Sequence, residues 1–129
     1  MKIRAVCTYP DGPTLNGNIY SAEVLATAFE EPAFKEMNQA RAIPVKGSFN
    51  GPLIGRASAT LDGNIVRIDA DITDTVYKEL LQQIYDTAGI SLAGMCEKEP
   101  SGTLTAIKYR EALLTSYSAV HCSMEIVKE

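Results

Sequence analysis

Residues 66 to 72 constrain the fold more than any other stretch. They alternate without exception, with Val66, Ile68, Ala70 and Ile72 on one face and Arg67, Asp69 and Asp71 on the other. Side chains on a strand repeat every second residue, so this pattern specifies a half-buried antiparallel strand and excludes an amphipathic helix. Residues 54 to 61 supply the partner strand, and Asp62-Gly63 is a favoured short hairpin loop between the two. The hairpin must lay its apolar face on something, and the rest of the chain is read for what that is.

Residues 2 to 9 read as a first strand, ended by Pro10, Gly12 and Pro13, with Asn16-Gly17 as a turn in the loop that follows. Ser21 is placed to cap a helix in which Val24, Leu25, Ala28 and Phe29 share a face. Pro32 breaks that helix and starts a second, short one containing Phe34 and Met37. Residues 42 to 46 form a short strand candidate. A helix over 75 to 86, capped by Asp74, has an apolar band of Val76, Tyr77, Leu80, Leu81, Ile84 and Tyr85. So wide a band predicts packing on more than one side, with Gly89 as the C-terminal stop. Residues 89 to 96 then read as a short buried strand carrying Ser91. After the Pro100-Ser101-Gly102 turn come strands over 103 to 114 and 117 to 127. In the last of these, Val120, Cys122, Met124 and Ile126 face the core, and His121, Ser123 and Glu125 face away. The order of elements predicts one α+β domain over residues 1–129, a small closed or nearly closed antiparallel β-barrel with helices outside.

Composition narrows the classes of function. The net charge is -4 and the basic residues are scattered, which argues against nucleic-acid binding. No apolar run approaches the ~20 residues of a membrane span, and the first residues lack the pattern of a signal peptide. The three cysteines, Cys7, Cys96 and Cys122, form no C-x-x-C pair and are expected as reduced, small core residues. The single histidine is not spaced with carboxylates as a zinc site requires, and no phosphate-binding or G-x-S-x-G motif is present. No cofactor or metal is implied.

One arrangement bears on chemistry. Ser91 lies in Gly89-Ile90-Ser91-Leu92-Ala93-Gly94, on the strand face opposite Ile90 and Leu92. Serine attack on a carbonyl needs a base for the hydroxyl proton, and His121 is the one imidazole that can form a dyad with it, across adjacent strands. An ordinary packed serine and an exposed histidine account for the same residues.

Several motifs together resemble the prohead (capsid maturation) proteases of tailed phages, whose fold is that of the herpesvirus assembly protease. Asn16-Gly17-Asn18-Ile19-Tyr20-Ser21 before a helix is similar to that family's N-G-R-x-Y opening, and Gly55-Arg56-Ala57 to its I-G-x-V strand. Residues 81 to 91 are similar to its helix leading to G-(I/V)-S, and residues 116 to 127 to its closing serine and apolar strand. The resemblance implies a small barrel with surrounding helices, Ser91 as nucleophile, and His121 as a third catalytic member. It also implies a histidine between the second helix and the hairpin. The matching stretch, residues 46 to 51, has none. Loss of the base costs a serine protease roughly 10⁶ in rate.

Two functions follow from the resemblance. One is a catalytically inactive protease-fold component of the phage head, a decoration or assembly protein. It would be made in the host cytoplasm and carried in the virion, bound to the major capsid protein or other head proteins or to copies of itself. The chain's end at Glu129, leaving no tail for autoprocessing, is expected of such a component. The other is an active prohead serine endopeptidase that cleaves capsid or scaffold proteins with Ser91 and His121.

Overall fold

The computed structural model describes residues 1–115 and 120–127. The hairpin is the centre of its sheet. Strand β1 (Lys2–Thr8) pairs antiparallel with β4 (Ile65–Ile72), which pairs in turn with β3 (Leu53–Asp62). Asp62 pairs with Ile65, so the hairpin loop is Gly63-Asn64, one residue later than Asp62-Gly63. Gly63 takes φ +61°, a left-handed conformation that glycine adopts without cost. Asn64 then clamps the end of β1: its amide donates to the Tyr9 carbonyl at 2.8 Å and its own carbonyl accepts from the Tyr9 N–H at 2.9 Å.

The expected inward face of β4 is in place. Val66, Ile68 and Ile72 are fully buried, and Ala70 nearly so, while Asp69 and Asp71 are exposed and paired with Arg4 and the N-terminal ammonium. On the other side of the hairpin, β2 (Ile43–Lys46) pairs with β3, and the sheet continues through β6 (Leu104–Thr115) to β5 (Gly89–Lys98). Strand β7 (His121–Val127) pairs with β1 and closes the order β5-β6-β2-β3-β4-β1-β7. On β7, Met124 is buried but Cys122 and Ile126 are only half-buried, because β7 is an outer strand with a neighbour on one side. Residues 117 to 119 of the strand expected here, and Ser116 of the motif, lie outside the described residues.

The sheet is barrel-like, but it departs from the expected closed or nearly closed antiparallel barrel in two ways. It curls into a half-barrel, and the β2–β6 pair is parallel, with Val45 opposite Ala112. The outer strands β5 and β7 come together near their first residues. The Cys7 thiol of β1 donates to the Ile90 carbonyl of β5 at 3.1 Å, and Gly89 lies against Cys122 of β7. A Cβ at Gly89 would stand 2.9 Å from the Cβ of Cys122, so glycine there permits the approach of the two strands. This is the role of Gly89. It does not end the helix before it, which already stops at Ile84. Further along, β5 is exposed from Gly94 to Lys98, while the half of β6 paired with it still buries Leu104, Ile107 and Tyr109. Only the first half of β5 is buried, contrary to the short buried strand expected, and Met95 is 77% exposed.

Helices α1 (Ala22–Glu30) and α2 (Pro32–Gln39) cover one face of the sheet. Ser21 caps α1 by accepting from the Val24 N–H at 3.0 Å, and Val24, Leu25 and Ala28 are buried as their spacing predicts. Pro32 opens α2, where Phe34 is fully buried. The Asn38 side chain exchanges two hydrogen bonds, 2.7 and 2.9 Å, with the backbone of Ala59, satisfying β3 beyond the reach of short β2. Helix α3 (Thr75–Ile84) is capped by Asp74 but is not packed on several sides. Leu81 is buried and Tyr77 and Ile84 partly so, a narrow stripe at helical spacing, whereas Val76 is 71% exposed. The helix lies outside the barrel, so its wide apolar band exceeds the surface available to cover it. No helix among the described residues is long and apolar enough to cross a membrane.

Candidate functional site

Ser91 opens onto a cleft of about 250 Å³. One wall is the edge of β5, Ser91 to Gly94 with Cys96. The other is the loop that carries Asn16, Asn18 and Tyr20. That loop is fixed by its backbone. Gly17 N–H donates to the Thr14 carbonyl in the expected turn, and Ile19 bridges to Thr103 with hydrogen bonds of 2.9 and 3.0 Å to the β5–β6 turn. Asn18 is buried, and its side-chain oxygen accepts from Lys98 at 3.3 Å.

Two tyrosines close the buried end. Tyr9, just beyond β1, and Tyr109, on β6, are each 3% exposed, and their hydroxyls stand 3.2 Å apart. Tyr20 leans on the Tyr9 ring with centroids 4.6 Å apart, and Phe34 lies 5.9 Å from Tyr109. The aromatic rings thus run from the cleft to the helices. Burial pushes the Tyr9, Tyr20 and Tyr109 phenols above the usual tyrosine range. They are neutral hydroxyls at physiological pH and serve as hydrogen-bond partners, not as bases.

His121 is elsewhere. It begins β7 opposite Thr8, is exposed, and lines a different, shallower cavity with Pro10, Pro13 and Leu15. Val120 borders both cavities. Ser91 itself is opposite Leu113 on β6. A Ser91–His121 dyad is expected across adjacent strands, but β5 and β7 are the two outer strands of the sheet and do not pair; they come together at Gly89 and Cys122, and His121 is exposed. The stretch 46 to 51, where the resemblance asks for a histidine, forms the turn beside α3: Gly47 lies against the Tyr77 ring and Phe49 is 74% exposed. Among the described residues, no group of three or more His, Cys, Asp or Glu side chains is gathered to hold a metal.

The cysteines are not equivalent core residues. Cys7 is buried as expected, Cys122 is half-buried, and Cys96 is exposed on the second half of β5.

Among the described residues the cleft is lined by hydroxyls, amides and the Cys96 thiol, with no imidazole or carboxylate. It can hydrogen-bond a neutral polar group, and it has no evident acceptor for the Ser91 proton. Sequence reasoning singles out Ser91 as a site residue and includes Asn18 and Tyr20 only within the motif of the resemblance; it does not find the Tyr9–Tyr109 pair. Its signal was present: Cys7 and Tyr9, like Ile107 and Tyr109, keep the inward alternation of their strands. Compared with known proteins, the chain matches no family model, no curated protein and no solved structure.

Proposed function

We propose that this protein is a non-proteolytic component of a tailed-phage head, a protease-like barrel that acts by binding head proteins such as the major capsid protein. The observation that carries the reading is the setting of Ser91. It has the strand position that the resemblance gives to a nucleophile, but it faces tyrosines and asparagines, and His121 lines another cavity. A serine without a base keeps its proton and is a weak nucleophile. A decoration role suits the acidic balance of -4, since such a protein meets solvent and protein instead of packaged DNA. On a symmetric shell each contact can be modest, because the lattice supplies many of them.

Mass spectrometry of purified mature virions tests the proposal. The expected result is the chain from Met1 to Glu129 at a copy number comparable to the capsid lattice. Absence from mature heads, or presence only as autolytic fragments in immature ones, rejects it in favour of a transient protease.

A further inference from the structure

We propose that Cys7 and Cys122 are a site of reversible covalent cross-linking, forming an intramolecular disulfide that staples the outer strand β7 to β1. The two residues are direct cross-strand partners in the β1–β7 ladder. Directly opposed residues in antiparallel strands have Cα atoms about 4.5–5.5 Å apart, inside the window a disulfide accepts. Their sulfurs stand 2.6 Å apart, nearer than non-bonded sulfurs normally lie and still beyond the ~2.05 Å of a bond. The Cys7 S–H can also donate to the Ile90 carbonyl at 3.1 Å. Gly89 of β5 also lies close against Cys122, so the two cysteines sit where β1, β5 and β7 come together.

The chemistry balances with a small-molecule disulfide, oxidised glutathione, as oxidant. Cys122 is half-buried at the outer strand and is the thiol a reagent reaches first. Its thiolate attacks one glutathione sulfur, breaks the S–S bond and releases one glutathione. Cys7 then attacks the Cys122 sulfur of the mixed disulfide and releases the second glutathione, which carries away the Cys7 proton. Two thiols are oxidised, one disulfide is reduced, and two electrons pass between them. In the reduced protein the Cys122 hydrogen bond and burial push the Cys7 thiol up; in the mixed disulfide the burial remains, so the second step accelerates with pH.

The bond joins residues 115 positions apart, so it closes a loop of almost the whole chain. Loops of that size gain the most from a cross-link, and the linked β7 is held in the sheet from one side only. The effect expected is a rise in melting temperature of about 5 °C or more.

The full chain is equilibrated in reduced and in oxidised glutathione, denatured in an alkylating reagent and weighed intact. Of three alkylatable thiols in the reduced protein, one should remain after oxidation, on Cys96, in a monomer lighter by the mass of two hydrogens. Peptide mapping should join the Cys7 and Cys122 peptides. Cys96→Ser should leave both the bond and the thermal shift intact, and Cys122→Ser should abolish them. If Cys122→Ser does not fold, the mapped cross-link and thermal shift of the native chain decide alone. Three reactive thiols after oxidation, glutathione retained on Cys122, or dimers linked through Cys96 as the sole product would each overturn the proposal.

Discussion

The hydroxyls of Tyr9 and Tyr109 stand 3.2 Å apart at the buried end of the Ser91 cleft, joining residues one hundred positions apart in sequence. Each ring is nearly inaccessible, and among the described residues each phenol is the hydrogen-bond partner of the other. Desolvating a hydroxyl without a partner costs about 1–3 kcal/mol, more than the net gain of one hydrogen bond. Tyr109→Phe should therefore destabilise the protein by about 1–3 kcal/mol in urea unfolding. The double change Tyr9→Phe/Tyr109→Phe should cost clearly less than the sum of the singles, because no phenol is then stranded. Additive effects would show that the two hydroxyls do not depend on each other.

Ile68 tests the face assignment of the central strand. It is fully buried on β4, between Ala5 of β1 and Ala59 of β3, neighbours too small to fill the space a truncation leaves. Ile68→Ala should cost about 2–5 kcal/mol. A loss below ~0.5 kcal/mol, typical of surface sites, would place this side chain outside the core.

The elements most legible in the sequence are those in which local signals and tertiary packing agree. Val66 to Ile72 alternate strictly because β4 has strands on both sides and one buried face, and Ser21, Pro32 and Asp74 mark helix starts through local hydrogen bonding and ring geometry. What is not legible depends on distant neighbours. The band on α3 looked like the face of a helix packed on several sides, but only the Tyr77–Leu81–Ile84 stripe meets the barrel. Gly89 looked like a helix stop because glycine commonly is one, and its role is steric and lies across the barrel at Cys122. The parallel pairing of β2 with β6 leaves no mark on strand periodicity, since side chains alternate in either direction. The same holds for the site: Ser91 could be placed on its strand, but which hydroxyls share its cleft is decided by residues 9 and 109 meeting in space.

A pH dependence follows from Glu31. It caps α2, accepting from the Phe34 N–H at 3.2 Å, and pairs with both terminal nitrogens of Arg110 on β6. The Arg110 guanidinium holds its carboxyl below the ordinary value of 4.5. A depressed carboxyl favours the folded state when ionised, so its contribution is complete above pH 4.5 and is lost as the pH falls through the lower folded-state value. The contribution is modest, because the pair is open to solvent. The melting temperature of the native protein should exceed that of Glu31→Gln by a margin that is constant at neutral pH and shrinks below pH 4.5. A margin that does not vary over this acid range would show that the ionised carboxyl is not what ties α2 to β6.

Ser91 separates a binding barrel from a protease. Its hydroxyl lines a cleft whose other hydroxyls are neutral phenols, and His121 lines a separate cavity. With no base to take its proton, Ser91 should react with a fluorophosphonate no faster than other half-exposed serines. Ser91→Ala removes one half-buried hydroxyl and creates no cavity that matters, so stability should stay within about 0.5 kcal/mol of the native value. Head assembly in a phage carrying Ser91→Ala should proceed with the native yield, and His121→Ala should behave in the same way. Rapid, stoichiometric labelling of the native chain that disappears in both variants would mean that the strands rearrange to bring serine and imidazole together. The cleft would then be a proteolytic site, and the binding role proposed for the barrel would fall with that result.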